Sequence, residues 1–215
     1  VKSNVLIAEG EKLETGQTIA SLKGNVIDLL ALERTILNFL QRLSGIATHT
    51  AELVKKANPL VLLDTRKTTP GWRILEKYAV KIGGAKNHRM NLGDLILIKD
   101  NHIDASGGVK QVLEKVYKDK PPYMPVEIEI RNTDELIQAL EFKPDIIMLD
   151  NMTYSEIKKS ISLCIETSPN TQIEISGGVN EESFEDLRNA GVKLASLSAL
   201  ISKASTVDIS MKISN

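Results

Sequence analysis

The 215-residue chain carries 27 Lys and Arg against 28 Asp and Glu, with 42% hydrophobic and 26% charged residues, an ordinary globular profile. A net charge of −1 and only 4% aromatic residues argue against a general nucleic-acid binder, which needs a basic excess and rings on which to stack bases. No apolar run approaches the ~20 residues needed to cross a bilayer, so neither nucleic acid nor membrane is an expected partner.

The single Cys164 allows no internal disulfide, and residues 1–10 lack the features of a secretory leader; a cytoplasmic location is expected. Residues 4–8 and 19–22 read as short strands separated by Gly10, Gly16 and Gly24. From Val26 to Ala57 the pattern turns helical, with Leu29, Leu32, Ile36, Leu37, Leu40 and Leu43 on one face and an interruption or close contact expected at Ser44-Gly45.

From residue 60 the rhythm alternates. Short apolar runs at 60–63, 95–98, 126–130, 146–149, 172–175 and 194–197 predict strands, and helical patterns at 73–81, 108–118, 133–140, 154–165 and 181–190 fall between them. Such alternation predicts an α/β fold with a parallel sheet whose strands are apolar on both faces. Repeated strand–helix units ending in chemically useful groups favour an α/β barrel over an open doubly wound sheet, since a barrel carries its active site on the C-terminal rim.

The strand ends are Asp64-Thr65-Arg66-Lys67, Lys99-Asp100-Asn101, Glu129, Asp150-Asn151 and Ser176-Gly177-Gly178. Residues 60–102 hold eight Lys or Arg and four Asp or Glu, a local +4 on a chain of −1, which suggests a polyanionic small molecule as ligand. Arg66, Lys67, Arg89 and Lys99 are the candidate anion binders, Arg by its planar fork and Lys as a point charge, although any one of them read alone is a solvated surface charge. Glu129 and Asp150 on neighbouring strand ends suit Mg²⁺ with substrate oxygens completing its shell, or an ion pair with nearby Lys and Arg. Ser176-Gly177-Gly178 offers free N–H groups to a phosphate, or is simply a turn. His88 and His102 lack partners at zinc-ligand spacing, and no hydrolase elbow, P-loop or dinucleotide fingerprint is present.

Taken in order, Glu33-Arg34-Thr, Ser44-Gly-Ile-Ala-Thr48, Asp64-Thr-Arg-Lys-Thr-Thr-Pro70, Gly83-Gly84, Asn87-His-Arg89, Ile98-Lys-Asp-Asn-His102, Glu127-Ile-Glu129, Leu149-Asp-Asn151 and Ser176-Gly-Gly178 closely resemble the quinolinate phosphoribosyltransferase family, also called nicotinate-nucleotide pyrophosphorylase. The resemblance implies an incomplete, seven-stranded α/β barrel preceded by part of a small open-faced α/β sandwich. Boundaries follow at 1–27 for the sandwich remnant, 28–200 for the barrel with its leading helix, and 201–215 for a C-terminal segment. It implies a transferase joining quinolinate to phosphoribosyl pyrophosphate, with Mg²⁺, pyrophosphate release and loss of CO₂.

Carried onto this sequence, the family's catalytic set is Lys67, Lys99, Glu129 and Asp150. Arg34, Thr65, Arg66, His88, Arg89, Ser176, Gly177, Gly178 and Ser198 join these four in substrate binding, and Glu129 and Asp150 serve the metal. A homodimer is implied in which Arg34 reaches the neighbour's site. Two departures are visible. The stretch at 9–16 matches a point well inside the family's usual chain, so part of the sandwich is expected to be missing. The family's Gly-Ala-Leu-Thr-His-Ser reads Ser198-Ala-Leu-Ile-Ser-Lys203 here. A paralogue with another acceptor, or a barrel kept for binding, are the competing readings.

Overall fold

The computed structural model describes residues 1–214. Strand β1 (Lys2–Val5) pairs antiparallel with β2 (Ala20–Lys23) in a small two-stranded sheet. The 32-residue helix α1 (Val26–Ala57) follows, its first turn capped by Asn25 Oδ1, which accepts from the Ile27 amide at 2.8 Å. Ser44-Gly45 does not interrupt this helix. Glycine is needed there for proximity: a Cβ would be driven into the carbonyl oxygen of Ser205. The C-terminal segment runs along α1, donating from the Val207 amide to Gln41 O (3.1 Å) and accepting at Ile209 O from Gln41 Nε2 (2.8 Å).

The larger unit runs β3 (Val61–Leu63), α2 (Arg73–Ile82), β4 (Ile96–Ile98), α3 (Asp100–Ser106), α4 (Val109–Asp119), β5 (Val126–Ile130), α5 (Thr133–Leu140), β6 (Ile146–Asp150), α6 (Tyr154–Thr167), β7 (Gln172–Ser176), α7 (Phe184–Asn189), β8 (Leu194–Ser196) and α8 (Ala199–Ser202). The seven-residue α3 and four-residue α8 fall outside the predicted helices. The six strands are all parallel in the order β3-β8-β7-β6-β5-β4, so β8 returns beside β3 as in a barrel. On the free side of β3, Lys86 makes a parallel bridge to Leu63 and supplies the seventh position. Among the described residues no strand pairing joins that segment to β4, so the ring stays open there. Arg89 Nη1 spans the opening to the carbonyl of Leu95 at 3.0 Å.

Register corrects one expectation. The strands are not apolar on both faces. Ile128, Ile130, Ile147, Leu149, Ile175 and Ala195 face the helices and form the core with Leu136, Leu140 and Phe184, all at most 2% exposed. Each such Leu or Ile contributes roughly 1.5–3 kcal/mol by burial. The alternate residues Glu127, Glu129, Glu174, Ser176 and Ser196 line the inside, because successive strand side chains point to opposite faces. No described helix is long and apolar enough to cross a membrane.

Candidate active site

The loop after β3 carries Thr65, Arg66 and Lys67. Thr65 Oγ1 accepts from the Lys67 amide at 3.0 Å, and this turn leaves Arg66 and Lys67 exposed. Helix α2 holds the loop from behind. Arg73 donates to Thr68 Oγ1 (3.2 Å) and to the Arg66 carbonyl (3.3 Å). Glu76, fully buried, accepts from the Thr69 amide (2.8 Å) and hydroxyl (2.9 Å), and from Arg42 Nη2 (3.1 Å). Arg42 also donates to the carbonyls of Ile201 and Ala204, tying the region after Ser198 to the same anchor.

His88 and Arg89 follow the bridge residue Lys86 at the edge of the opening. The Arg89 pKa is depressed by burial and by the charge of Arg66. The two like charges weaken one another's hold on a proton, and an anionic ligand would relieve that. Across the rim, Lys99 Nζ donates to Glu129 Oε2 at 2.6 Å. Asp150 Oδ2 accepts from Asn151 Nδ2 at 2.6 Å.

Asn151 has a left-handed backbone (φ 52°), and its amide donates to the Ser176 carbonyl at 3.1 Å. Its side chain fills the space where Gly177 (φ 79°) would need to place a Cβ, so glycine there is required on both steric and conformational grounds. Gly178 is also left-handed (φ 64°), and a Cβ there would meet nothing within 4 Å. Ser198 sits at φ −67°, an ordinary value that places no demand for glycine, and immediately precedes α8.

Inside the barrel, below the rim, His88 Nε2 lies 3.2 Å from Glu127 Oε2 and 3.6 Å from Glu174 Oε1. Burial depresses the His88 pKa, but the two carboxylates outweigh it and the net shift is upward. Burial and the neighbouring Glu127 push Glu174 up to about 7. Three such side chains could form a metal cradle. However, His88 Nδ1 accepts from the Arg89 amide at 2.7 Å, which puts the ring proton on Nε2 and leaves that nitrogen no lone pair for a metal. The cluster is a proton-bearing one. Glu129 and Asp150 suit a hard cation better, since each engages one oxygen locally and keeps the other available.

Thr65, Arg66, Lys67, His88, Arg89, Lys99, Glu129, Asp150, Ser176, Gly177, Gly178 and Ser198 therefore all lie at or just beyond the C-terminal ends of the barrel positions. Arg34 does not. It projects from α1 with 69% of its side chain exposed, and Glu33 lies 3.9 Å from it. Sequence reasoning missed Glu127, Glu174, Lys77 and Asn151. The alternation of acid and Ile in Val126-Glu-Ile-Glu-Ile130 and in Gln172-Ile-Glu-Ile-Ser176 was the available signal for the two glutamates.

An open parallel barrel with cations, carboxylates and a glycine turn on its C-terminal rim defines a barrel enzyme of anionic small molecules. Residues 46–212 match the description "Quinolinate phosphoribosyl transferase, C-terminal domain" and residues 1–44 the corresponding N-terminal domain, the two meeting within α1. The chain is 41% identical over 207 residues to "Probable nicotinate-nucleotide pyrophosphorylase [carboxylating]" of Bacillus subtilis, covering 95% of this chain and 71% of that one. It is 38% identical over 211 residues to the protein of the same name from Synechocystis, covering 97% and 72%. The crystal structure of NadC from Streptococcus pyogenes superimposes with a TM-score of 0.90 at 37% identity, covering 98% of this chain and 74% of that one. The chain belongs to the quinolinate phosphoribosyltransferase family, a family of decarboxylating pentosyltransferases, and spans about seven tenths of the length of these relatives.

Proposed function

We propose that this chain transfers the phosphoribosyl group of phosphoribosyl pyrophosphate to the ring nitrogen of quinolinate, giving nicotinate mononucleotide, pyrophosphate and CO₂ in NAD biosynthesis. The observation that carries the reading is the gathering of Arg66, Lys67, Arg89 and Lys99 with Glu129 and Asp150 at one end of the barrel strands, in a chain that matches both domains of the quinolinate phosphoribosyl transferase family. The pyridine lone pair forms a bond to the anomeric carbon while the bond to pyrophosphate breaks and its electron pair leaves with that group. The bond to the ring's C2 carboxylate then breaks, CO₂ departs, and the electron pair left on C2 takes up a proton.

Each residue's part follows from charge. Arg66, Arg89 and Lys67 hold the carboxylates and pyrophosphate, and Lys99 places its ammonium beside them. Glu129 and Asp150 face the ribose hydroxyls and the positive character developing at the anomeric carbon. Ser176, Gly177, Gly178 and Ser198 receive the 5′-phosphate. Mg²⁺, when held by Glu129 and Asp150, neutralises charge on the pyrophosphate. Positioning and fixed charge carry the rate, with no separate general base required.

The α1 surface supports a homodimer with shared sites: Leu30, Leu32 and Leu40 are exposed on the helix that presents Arg34. The lone buried thiol of Cys164, held protonated by a pKa pushed up to about 11 by burial, suits the reducing cytoplasm. Incubation with quinolinate, phosphoribosyl pyrophosphate and Mg²⁺ tests the assignment. CO₂ release that stops on chelation is expected; no release at all overturns the reaction, and release undiminished by chelator overturns the metal's part.

A further inference from the structure

Helix α2 carries two consecutive charged residues, Glu76 and Lys77, neither of which has any exposed surface. Glu76 has its role in holding Thr69. Lys77 lies too deep to touch a substrate, yet its ammonium has specific partners: it donates to the Asp64 carboxylate and to the carbonyl of His88, the latter at 2.8 Å. Asp64 in turn accepts from the His88 amide at 2.9 Å and from Asn87 Nδ2 at 2.6 Å. Asn87 Nδ2 also donates to the backbone carbonyl of Lys77 at 2.8 Å, which closes the ring.

Stability alone is a poor reason for this pair. Burying two charges costs several kcal/mol in desolvation, and apolar replacements of buried pairs are often neutral or stabilising by about 1–4 kcal/mol. Asp64 registers that cost, its pKa being raised by burial in spite of Lys77 and Asn87. What the ring supplies is position. The segment around Lys86 is joined to the sheet through Leu63 on one side and borders the opening on the other. The turn carrying His88 and Arg89 therefore lacks the strand pairing that fixes the other rim positions, and Lys77 with Asp64 fixes it instead.

We propose that Lys77 is a positioning residue for the acceptor substrate: through Asp64 and the His88 carbonyl it sets the 87–89 turn that aims Arg89 at the dicarboxylate. This rests on the reading above that the turn serves quinolinate. That reading is tested first by wild-type activity, and the Lys77 measurement is made relative to wild type.

Steady-state kinetics of Lys77→Met should show the KM for quinolinate raised by at least about tenfold, a modest displacement of a binding group being enough for that, with the KM for phosphoribosyl pyrophosphate changed less than about twofold on the same scale. The double variant Asp64→Asn/Lys77→Met removes the unpaired charge; it should regain thermal midpoint while its quinolinate KM stays high. Recovery of both in the double variant would reduce the role to folding. An unchanged quinolinate KM in folded Lys77→Met, or equal losses on both substrates, would overturn the proposal. Should neither variant fold, Asn87→Ala opens the same ring from its exposed side, and an unaltered quinolinate KM there overturns it equally.

Discussion

Lys99 and Glu129 reach toward one another across neighbouring strand ends, Nζ to Oε2 at 2.6 Å, and so neutralise each other at the rim. The pair therefore fixes the position of each side chain without a third partner.

Lys99→Ala should lose at least about 100-fold in rate, the scale associated with removing one preorganised charge contact. The side chain is 47% exposed, so the thermal midpoint should move little. Single-turnover rates alongside a melting curve check this, and near-wild-type turnover would remove Lys99 from the chemistry.

Gly177→Ala should damage phosphate binding and stability together. The new Cβ meets the Asn151 side chain and amide, and alanine at φ 79° is strained, together costing on the order of 1–3 kcal/mol. A raised KM for phosphoribosyl pyrophosphate with a lowered midpoint is expected. The companion Gly178→Ala, where a Cβ meets nothing, isolates the conformational part.

Stability should decline as pH rises from about 5 to 8. Glu174 is raised to about 7, so the folded state binds more protons than the unfolded chain above the ordinary carboxylate pKa. Its contribution is fully present below that ordinary value and is lost as pH rises through about 7. Glu174→Gln should flatten the profile of melting midpoint against pH; an unchanged slope would mean that the cluster does not hold the proton.

Arg34 gives a test of the shared-site dimer. Arg34→Ala and Lys99→Ala chains, each nearly inactive alone, should regain activity when mixed under subunit exchange, because a mixed dimer contains one intact site. Activity that stays at the parental level after exchange has been verified would confine Arg34 to its own chain.

The strands and most helices were legible because burial against helices repeats at fixed spacing, as in Ile146–Asp150 and Thr133–Leu140. The rim residues were legible because charge at a strand end is unusual, and the motif order made the family recognisable. The inner carboxylates were not. Glu127 stood in the Glu127-Ile-Glu129 motif with no role of its own, and only register shows that both glutamates point into the barrel. Lys77 counted only as one of the eight cations of 60–102, since nothing local announces that Asp64 and the His88 carbonyl lie 13 and 11 residues away in sequence yet adjacent in space. Ser44-Gly45 was ambiguous for the same reason: its contact, Ser205, lies at the far end of the chain.

The division of each barrel strand into an apolar outer face and a polar inner one has an evolutionary consequence. Ile128 and Ile147 answer to the helices, whereas Glu127, Glu129 and Glu174 answer to whatever occupies the barrel. Mutations can then sample new chemistry at every second position while the residues between them keep the chain folded. Selection for a different acceptor would leave its trace as a two-residue periodicity in variability along β5, β6 and β7, with the outer positions holding still.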